Sequence, residues 1–508
     1  MKRTRAENRY RHIGALCMLL VGAPLSISCI AGDETASEPD DEAIGVVRSE
    51  VITCSNPGGP TDFTIVSVVP VVPSSPVNSP QTLHVTYTCQ GTLPSSINIR
   101  VSLPGRPAFS HIDTTRSGVF DVTTENFVHA GQLPVTVELW SNPHLPYLPV
   151  RYDSKTVPVT PHYPTGAVEQ YGGQCWAGDQ WIQYFTGSPP NPSSLQLFIG
   201  YPPNSGWQLL QSASSAFYTW TGSTWLYRGP MYGAAPPPSY EVIWQKDTTP
   251  YLPGTTLVKA EEFYTVKVSN VRVNPVLANA VTWSQIDAID PTLVKWRASE
   301  PGFTDYTAQD DPLLRAQLFA WNHLSCGYAY RQPGCETPWS AAKKLYIATV
   351  QYMNYTDNIG DSCESGPECI SPADPDHDHS RWGGCGSYAI MWVTLLRSVG
   401  IPARSAEGYA MPVSSWAEHV WAEFYLPGVG WIQGDPQGAD NFAEDSGYAY
   451  YLGADDALNR KIAMDHSYRH STTYGELAWF AGLQYPGWLP AVGTSDRPLP
   501  LISTTPCP

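Results

Sequence analysis

The stretch SRWGGCGSYAIMWVTLLRSVGIPAR, residues 380–404, places a cysteine behind two glycines and directly before an amphipathic helix pattern. Apolar residues recur at helical spacing after Cys385, so one helix face is expected to point into a core. Gly400, followed by Pro402, predicts where this helix ends. Cys385 is therefore expected at the N-terminal end of a buried helix, where backbone N–H groups and the helix dipole favour a thiolate.

Residues 1–29 have the pattern of a secretory signal peptide. Basic residues precede an apolar run that Pro24 interrupts, and this run is too short for a membrane-spanning helix. The segment LSISC, which ends at Cys29, resembles a bacterial lipoprotein box, with Ser26 where the family usually has leucine. We expect an exported protein that is secreted, periplasmic or at the cell surface, with lipid attachment to a membrane through Cys29 as an open alternative.

The chain is acidic, with 46 Asp and Glu residues against 29 Lys and Arg residues and a formal net charge of −17. Removal of the basic leader makes the remaining chain more negative, which argues against nucleic acid as a partner. Residues 30–50 include the stretch GDETASEPDDEAIG. This segment is predicted to be a solvated acidic linker.

The chain has eleven cysteines, and two of them, Cys17 and Cys29, lie in the predicted leader. An odd number remains, so one cysteine of an exported chain is expected to lack a disulfide partner. The expected pairs, which spacing alone does not fix, are Cys54 with Cys89, Cys175 with Cys507, Cys326 with Cys335, and Cys363 with Cys369. Cys385 is then left over, either as a reactive thiol or as a small buried hydrophobe.

Two β-rich regions are predicted before the helical part of the chain. Residues 51–159 contain alternating runs such as LHVTYTC and VTVELW, which predict an immunoglobulin-like β-sandwich. Residues 160–272 contain runs such as LQLFIGY and YEVIWQ and predict a second β-rich, sandwich-like domain. Its Trp and Tyr residues would either form a sugar-binding platform or, as is commoner in strands, pack in the core.

Residues 273–508 mix helical and strand patterns. DPLLRAQLFAWNHL and WSAAKKLYIATVQYMNY have apolar residues at helical spacing, with Asp311 and Ser340 near their starts. The predicted fold class is therefore multidomain, with two all-β domains followed by an α+β domain. Every residue that we assign to chemistry lies in this last domain.

The segment EHVWAEFYLPGVGWIQGDP, residues 418–436, predicts a hairpin that turns near Pro427. In the register that this turn implies, His419 and Asp435 lie opposite each other on one face. A carboxylate in that place can orient an imidazole toward a nucleophile, whereas a shift of one residue would separate the pair. A metal site that uses His419 and Glu423 is a weaker reading, because no second histidine pair has ligand spacing.

Three blocks in this order, GGCGSYAIMWVTLLRSVGIPAR, EHVWAEFYLPGVGW and GDP, resemble the core of the transglutaminase-like superfamily, a branch of papain-like thiol enzymes. The resemblance covers about residues 310–440. It implies a nucleophile at Cys385, a general base at His419 and an orienting carboxylate at Asp435. It also implies an α+β fold in which a helix carries the cysteine and an adjacent antiparallel sheet carries the other two residues.

One departure from the family pattern concerns the oxyanion hole. Gly384 precedes the cysteine where many members have Asp or Gln, so no side chain is assigned to this role. Trp382 and Tyr355 are the candidates to fill it, and backbone N–H groups beside Gly384 could also stabilise an oxyanion.

The stretch DPDHDHSRWGGC places Asp374, Asp376 and Asp378 at the first, third and fifth positions of a calcium loop. His379 replaces the required glycine and Cys385 stands in place of the bidentate glutamate, so the loop is not an EF-hand. The default is a solvated acidic loop, and a looser Ca²⁺ or Zn²⁺ site is the alternative. The thiol chemistry itself requires no cofactor.

Two classes of function follow from these patterns. The first is a thiol enzyme that attacks an amide bond of a protein or peptide and passes the acyl group to water, as a peptidase or amidase. Transfer to a lysine amine would make the same triad a protein cross-linker. The second is a surface binding or adhesion protein whose β domains act and whose third domain is inactive. The oligomeric state has no signal in the sequence.

Overall fold

The structure is a computed structural model. It describes residues 54–55, 61–71, 81–91, 96–103, 108–113, 118–124, 132–141, 150–185, 196–200, 202–234, 243–247, 257–299, 311–356, 363, 366–370, 381–411, 417–440, 452–455, 460–466, 469–472, 475–478, 481–484, 493–494 and 501–502. The predicted leader with Cys29, the acidic linker, the Asp374–Asp376–Asp378 loop and Cys507 all lie outside these residues.

The first part of the chain is built of antiparallel strands. They are β1 (Asp62–Pro70), β2 (Thr82–Gln90), β3 (Ile97–Ser102), β4 (Phe109–Asp113), β5 (Val119–Thr123), β6 (Leu133–Ser141) and β7 (Arg151–Val159). One sheet has the order β1-β2-β5 and another the order β4-β3-β6-β7. Leu83, Val85 and Tyr87 alternate inward on β2 into a shared core. The region is thus β, as predicted, and the immunoglobulin-like topology stays a prediction.

The second β region contains longer strands. They are β8 (Val168–Phe185), β9 (Gln196–Gly200), β10 (Gln208–Trp220), β11 (Trp225–Tyr227), β12 (Tyr232–Ala234), β13 (Ile243–Asp247) and β14 (Leu257–Val273). β8 and β14 pair along almost their whole length, in a sheet with the order β11-β10-β14-β8. Trp176, Phe217 and Val266 are fully buried in its core.

The helices follow. They are α1 (Pro275–Asn279), α2 (Trp283–Asp287), α3 (Pro291–Val294), α4 (Asp311–His323), α5 (Pro338–Tyr352), α6 (Gly366–Ile370), α7 (Cys385–Ser398) and α8 (Pro436–Asp440), with 3₁₀ turns at Lys295–Arg297 and Gly327–Ala329. α5 begins with a capping box, in which the Thr337 and Ser340 side chains each bond to the other residue's backbone N–H. Ser340 is therefore the third residue of the helix, near its start as predicted.

The remaining strands are β15 (Asn354–Tyr355), β16 (Trp382–Gly383), β17 (Ala403–Met411), β18 (Ala417–Leu426), β19 (Gly430–Gly434), β20 (Ala454–Asp455), β21 (Arg460–Asp465), β22 (Arg469–Thr472), β23 (Gly475–Ala478), β24 (Ala481–Gln484), β25 (Gly493–Thr494) and β26 (Leu501–Ile502). β19, β18, β17 and β21 form an antiparallel sheet in that order. α7 packs on one face of this sheet, where the Trp392 and Phe424 rings lie 5.6 Å apart.

The C-terminal strands return to the second β region. β20 pairs with β14, β24 pairs with β9, and β25 and β26 pair with β8. Strands from both sides of residue 273 thus share sheets, and the domain boundary at that residue stays a prediction. The sequence did not indicate this pairing because a free sheet edge accepts a strand through backbone groups, which leave no local side-chain pattern.

The described residues include disulfides Cys54–Cys89, Cys326–Cys335 and Cys363–Cys369, each at a predicted pairing. Disulfides persist in oxidising compartments, so these three indicate an extracellular or otherwise oxidising environment. Among the described residues, no helix is long and apolar enough to cross a membrane.

Candidate active site

Cys385 is the first residue of α7, and its side chain is fully buried. Gly384 is the N-cap with an extended backbone, and its carbonyl accepts the N–H of Tyr388 at 3.2 Å. The helix ends as predicted at Gly400, whose φ of +84° is a conformation that favours glycine. The sequence thus located both ends of the helix that carries the cysteine.

Gly383, on β16, lies directly against the first turn of α7. A Cβ at this residue would lie 2.1 Å from the Cβ of Ser387. The glycine therefore lets the strand before the helix pack directly against the first helical turn. Ser387 in turn donates its hydroxyl to the Cys363 carbonyl at 2.8 Å, which anchors the Cys363–Cys369 loop beside the N-terminus of α7.

The sulfur of Cys385 is in a disulfide in this structure. The disulfides described above do not include it, so its partner is a cysteine other than those six. The prediction that Cys385 is the left-over cysteine is therefore wrong here. Cysteine spacing does not fix connectivity, so a count of cysteines could not identify which one lacks a partner. Cys175 is also in a disulfide, and its predicted partner Cys507 is not described.

The predicted hairpin is present, but its register differs by two residues. Ala422 pairs with Gly434 and Leu426 with Gly430, so continuing this register would place Asp435 opposite Trp421 rather than His419. A shift of two residues keeps each side chain on its original face. His419 and Asp435 are consequently diagonal neighbours on one face, within side-chain reach.

His419 and Asp435 form a hydrogen bond of 2.7 Å between Nε2 and Oδ2. Because an ionised carboxylate only accepts hydrogen bonds, Nε2 carries the proton and donates it. In a neutral imidazole Nδ1 is then the basic nitrogen. The structure thus brings two of the three predicted triad residues, His419 and Asp435, into direct contact.

Asp435 lies between β19 and α8 and is fixed from several sides. Its Oδ1 accepts the Gly438 N–H at 2.9 Å, and its carbonyl accepts the Tyr346 hydroxyl at 2.8 Å. Burial alone would raise the pKa of Asp435. The charges of His419 and Lys461, with the hydrogen bonds from His419 and Gly438, more than offset burial and hold that pKa well below its ordinary value. Asp435 is therefore a carboxylate at neutral pH.

Sequence reasoning missed a buried polar cluster farther along β18. Glu423 is fully buried; its carboxylate accepts hydrogen bonds of 2.9 Å from Arg404 Nε and from the Trp207 indole. His466 Nε2 lies 3.7 Å from the same carboxylate. Burial would raise the pKa of Glu423, but the Arg404 and His466 charges and the two hydrogen bonds lower it. The cluster joins the second β region to this sheet.

The oxyanion candidates lie together at the start of α7. Asn354 pairs with Trp382 and Tyr355 with Gly383 in a short parallel bridge. Trp382 is 41% exposed, whereas Tyr355 is partly buried against the core. Both therefore lie within the β15–β16 bridge that leads into Gly384 and Cys385, and their role in binding an oxyanion stays a prediction.

No group of three or more metal-ligating side chains occurs within the described part of the chain. The Asp374, Asp376 and Asp378 loop lies outside it, so the alternative of a Ca²⁺ or Zn²⁺ site stays a prediction.

A family model matches part of this region. The family model of the transglutaminase-like superfamily matches residues 328–436, which span Cys385, His419 and Asp435. These residues form a transglutaminase-like domain. A crystal structure described as a "putative cysteine protease" from Cytophaga hutchinsonii is similar at 13% identity and a TM-score of 0.41, over 67% of this chain and 94% of the other. No curated protein matches the sequence.

Proposed function

We propose that this protein is a thiol enzyme that cleaves amide bonds in proteins or peptides, with Cys385 as nucleophile, His419 as general base and Asp435 as the carboxylate that orients His419. The observation that carries the proposal is the 2.7 Å hydrogen bond from His419 Nε2 to Asp435, because it fixes the tautomer in which Nδ1 is basic. The location of Cys385 at the N-terminus of a helix within a transglutaminase-like domain supports the same assignment.

The reaction requires Cys385 as a thiolate, so its disulfide must first be reduced. A dithiol supplies the two electrons and two protons: it becomes a disulfide, and the two protein sulfurs become thiols. His419 then takes the proton of the Cys385 thiol at Nδ1. The helix N-terminus stabilises the resulting thiolate.

The thiolate attacks the carbonyl carbon of the amide. The negative charge that develops on the oxygen would be held by backbone N–H groups beside Gly384, with Trp382 or Tyr355 as further donors. His419 returns its proton to the leaving amine as the C–N bond breaks, which leaves a thioester. Water, deprotonated by His419, attacks the thioester, releases the carboxylic acid and restores the thiol.

We also propose that the chain is exported, in agreement with the disulfides of the described residues. Attachment to a membrane through Cys29 and the immunoglobulin-like nature of the first β region belong to the same proposal. Neither nucleic acid nor a cofactor enters the reaction. A cation at the acidic loop would act on stability rather than on the chemistry.

The test is incubation of the full chain, reduced with dithiothreitol, with a mixture of peptides, with and without an added primary amine. Cys385→Ala, treated in the same way, is the control. The proposal predicts new peptide termini that appear only with the reduced wild type. Incorporation of the amine instead would identify a cross-linking enzyme. Equal peptide profiles for wild type and Cys385→Ala would contradict both hydrolysis and cross-linking. The alternative of a surface binding protein with an inactive third domain would then remain.

A further inference from the structure

Lys461, on β21, is buried beside the His419–Asp435 pair. Its Nζ lies 3.5 Å from Oδ2 of Asp435, and its side chain is 1% exposed. The same oxygen accepts the His419 hydrogen bond. A buried ammonium is costly unless an opposite charge faces it, and Asp435 supplies such a charge. The carboxylate therefore interacts with two cationic or hydrogen-bonding groups at one oxygen.

The sheet positions Lys461 on the same face as His419. β17 lies between their strands, and its residues opposite them are small: Ala410 pairs with Lys461, and Gly408 pairs with His419. A Cβ on Gly408 would lie 2.1 Å from the Ile462 carbonyl oxygen, so this glycine permits the close approach of β21 at a bulge. β17 consequently has no large side chain at these two positions that would separate Lys461 from the site.

The elements that pack near the pair carry other buried or partly buried titratable groups. They are Glu407 and Tyr409 on β17, Glu423 on β18, Tyr346 on α5, Tyr388 on α7 and Asp440 on α8. Glu423 has Arg404 as its counter-charge at 2.8 Å, Tyr388 donates to Asp440, and Tyr346 donates to the Asp435 carbonyl. Substitution of Lys461 leaves all of these groups in place, so Lys461→Met and Lys461→Arg test the charge at this position.

We propose that Lys461 is a positioning residue of the active site, a cation that keeps the Asp435 carboxylate ionised and turned toward Nε2 of His419. It acts through Asp435 and touches no reacting atom. Its consequence for catalysis rests on the proposed function, whereas its effect on the Asp435–His419 hydrogen bond does not.

Two measurements on the full chain test this inference. The first is the proton resonance of His419 Nε2–H, observed by NMR after ¹⁵N-histidine labelling and assigned with His419→Ala. The second is the pH profile of Cys385 alkylation by iodoacetamide after reduction with dithiothreitol. The variants are Lys461→Met, which removes the charge, and Lys461→Arg, which retains it. Lys344→Met, which removes the ion pair between Lys344 of α5 and Glu336, is the matched control.

In Lys461→Met we expect the hydrogen-bonded resonance to shift upfield or broaden. The low-pH side of the alkylation profile should also move to higher pH, because the Asp435 carboxylate loses a cation that favours its ionised form. Lys461→Arg and Lys344→Met should resemble the wild type. Should Lys461→Met not fold, Lys461→Gln takes its place.

An unchanged resonance and pH profile in folded Lys461→Met would overturn the inference, as would equal changes in Lys461→Arg. The proposed function can fail separately. If no peptide is cleaved but the resonance responds to Lys461→Met and not to Lys461→Arg, the positioning role stands without the enzyme.

Discussion

The two faces of strand β18 are both buried and have opposite chemistry. Val420, Ala422 and Phe424 point toward α7 and belong to its apolar core. His419, Trp421 and Glu423 point the other way, where two of them carry titratable groups. Because successive side chains of a strand alternate, one strand serves a core and a polar site at once. Ionised groups remain buried on the second face because each contacts a group of opposite charge.

The partners on the polar face come from distant parts of the chain. Asp435 follows the next strand, Lys461 lies on the far strand of the sheet, and Trp207 belongs to the second β region. The apolar face, in contrast, packs mostly against α7. Changes on the polar face should therefore alter activity and pH dependence, whereas changes on the apolar face should alter stability alone.

The largest expected effect is on activity, in Asp435→Asn. The amide keeps the shape of the carboxylate but would hold His419 in the wrong tautomer, so turnover of the reduced enzyme should fall on the order of 10³- to 10⁴-fold with the fold retained. Asp440→Asn is the matched control on α8, because Asp440 contacts Tyr388 rather than His419. A kcat equal to that of the wild type in folded Asp435→Asn would show that Asp435 has no role in orienting His419 for catalysis.

The next effect is on stability, in Arg404→Met. This change leaves the fully buried Glu423 carboxylate without its main counter-charge, and breaking a buried pair from one side costs about 3–5 kcal/mol. The free energy of unfolding from urea titration would measure it. The double variant Arg404→Met/Glu423→Gln should recover part of the loss. A single variant as stable as the wild type would mean that the pair contributes no electrostatic stability.

A smaller effect is expected on the pH dependence of stability, in Glu423→Gln on the polar face of β18. Since the pKa of Glu423 is lower in the folded protein than in the unfolded chain, its contribution to stability is present above the unfolded pKa of about 4.3 and is lost as pH falls below that value. Glu423→Gln should therefore show a weaker loss of stability than the wild type between neutral pH and the acid range. Parallel curves for the two proteins would contradict this account.

The smallest effect belongs to the apolar face. Ile432→Val removes one buried methylene opposite Phe424 and should cost about 0.5–1.5 kcal/mol. The loss should be the same at neutral and acid pH, because no titratable group changes its surroundings. A pH-dependent loss in this variant would show that the two faces are coupled.

The features that were predicted correctly are those encoded by local sequence patterns. The helix after Cys385, its end at Gly400, the β18–β19 hairpin and the shared face of His419 and Asp435 follow from periodicity and turn residues. The exact register did not, because a two-residue shift preserves the face and so leaves the hydrophobic pattern unchanged.

The missed features are all non-local. Lys461 and Trp207 carry no motif, and only the tertiary fold brings them to Asp435 and Glu423. The return of β25 and β26 to β8 depends on backbone pairing at a sheet edge. The disulfide at Cys385 is also non-local, and cysteine spacing alone does not predict it.

Trapping an acyl intermediate would test directly whether reduced Cys385 is the nucleophile. The full chain, reduced with dithiothreitol that is then removed, would be mixed with p-nitrophenyl acetate, quenched with acid and mapped by peptide mass spectrometry. We expect an acetyl thioester on Cys385 that forms more slowly in His419→Ala and is absent without reduction. Acetylation spread over other residues, or an equal rate in His419→Ala, would contradict this expectation.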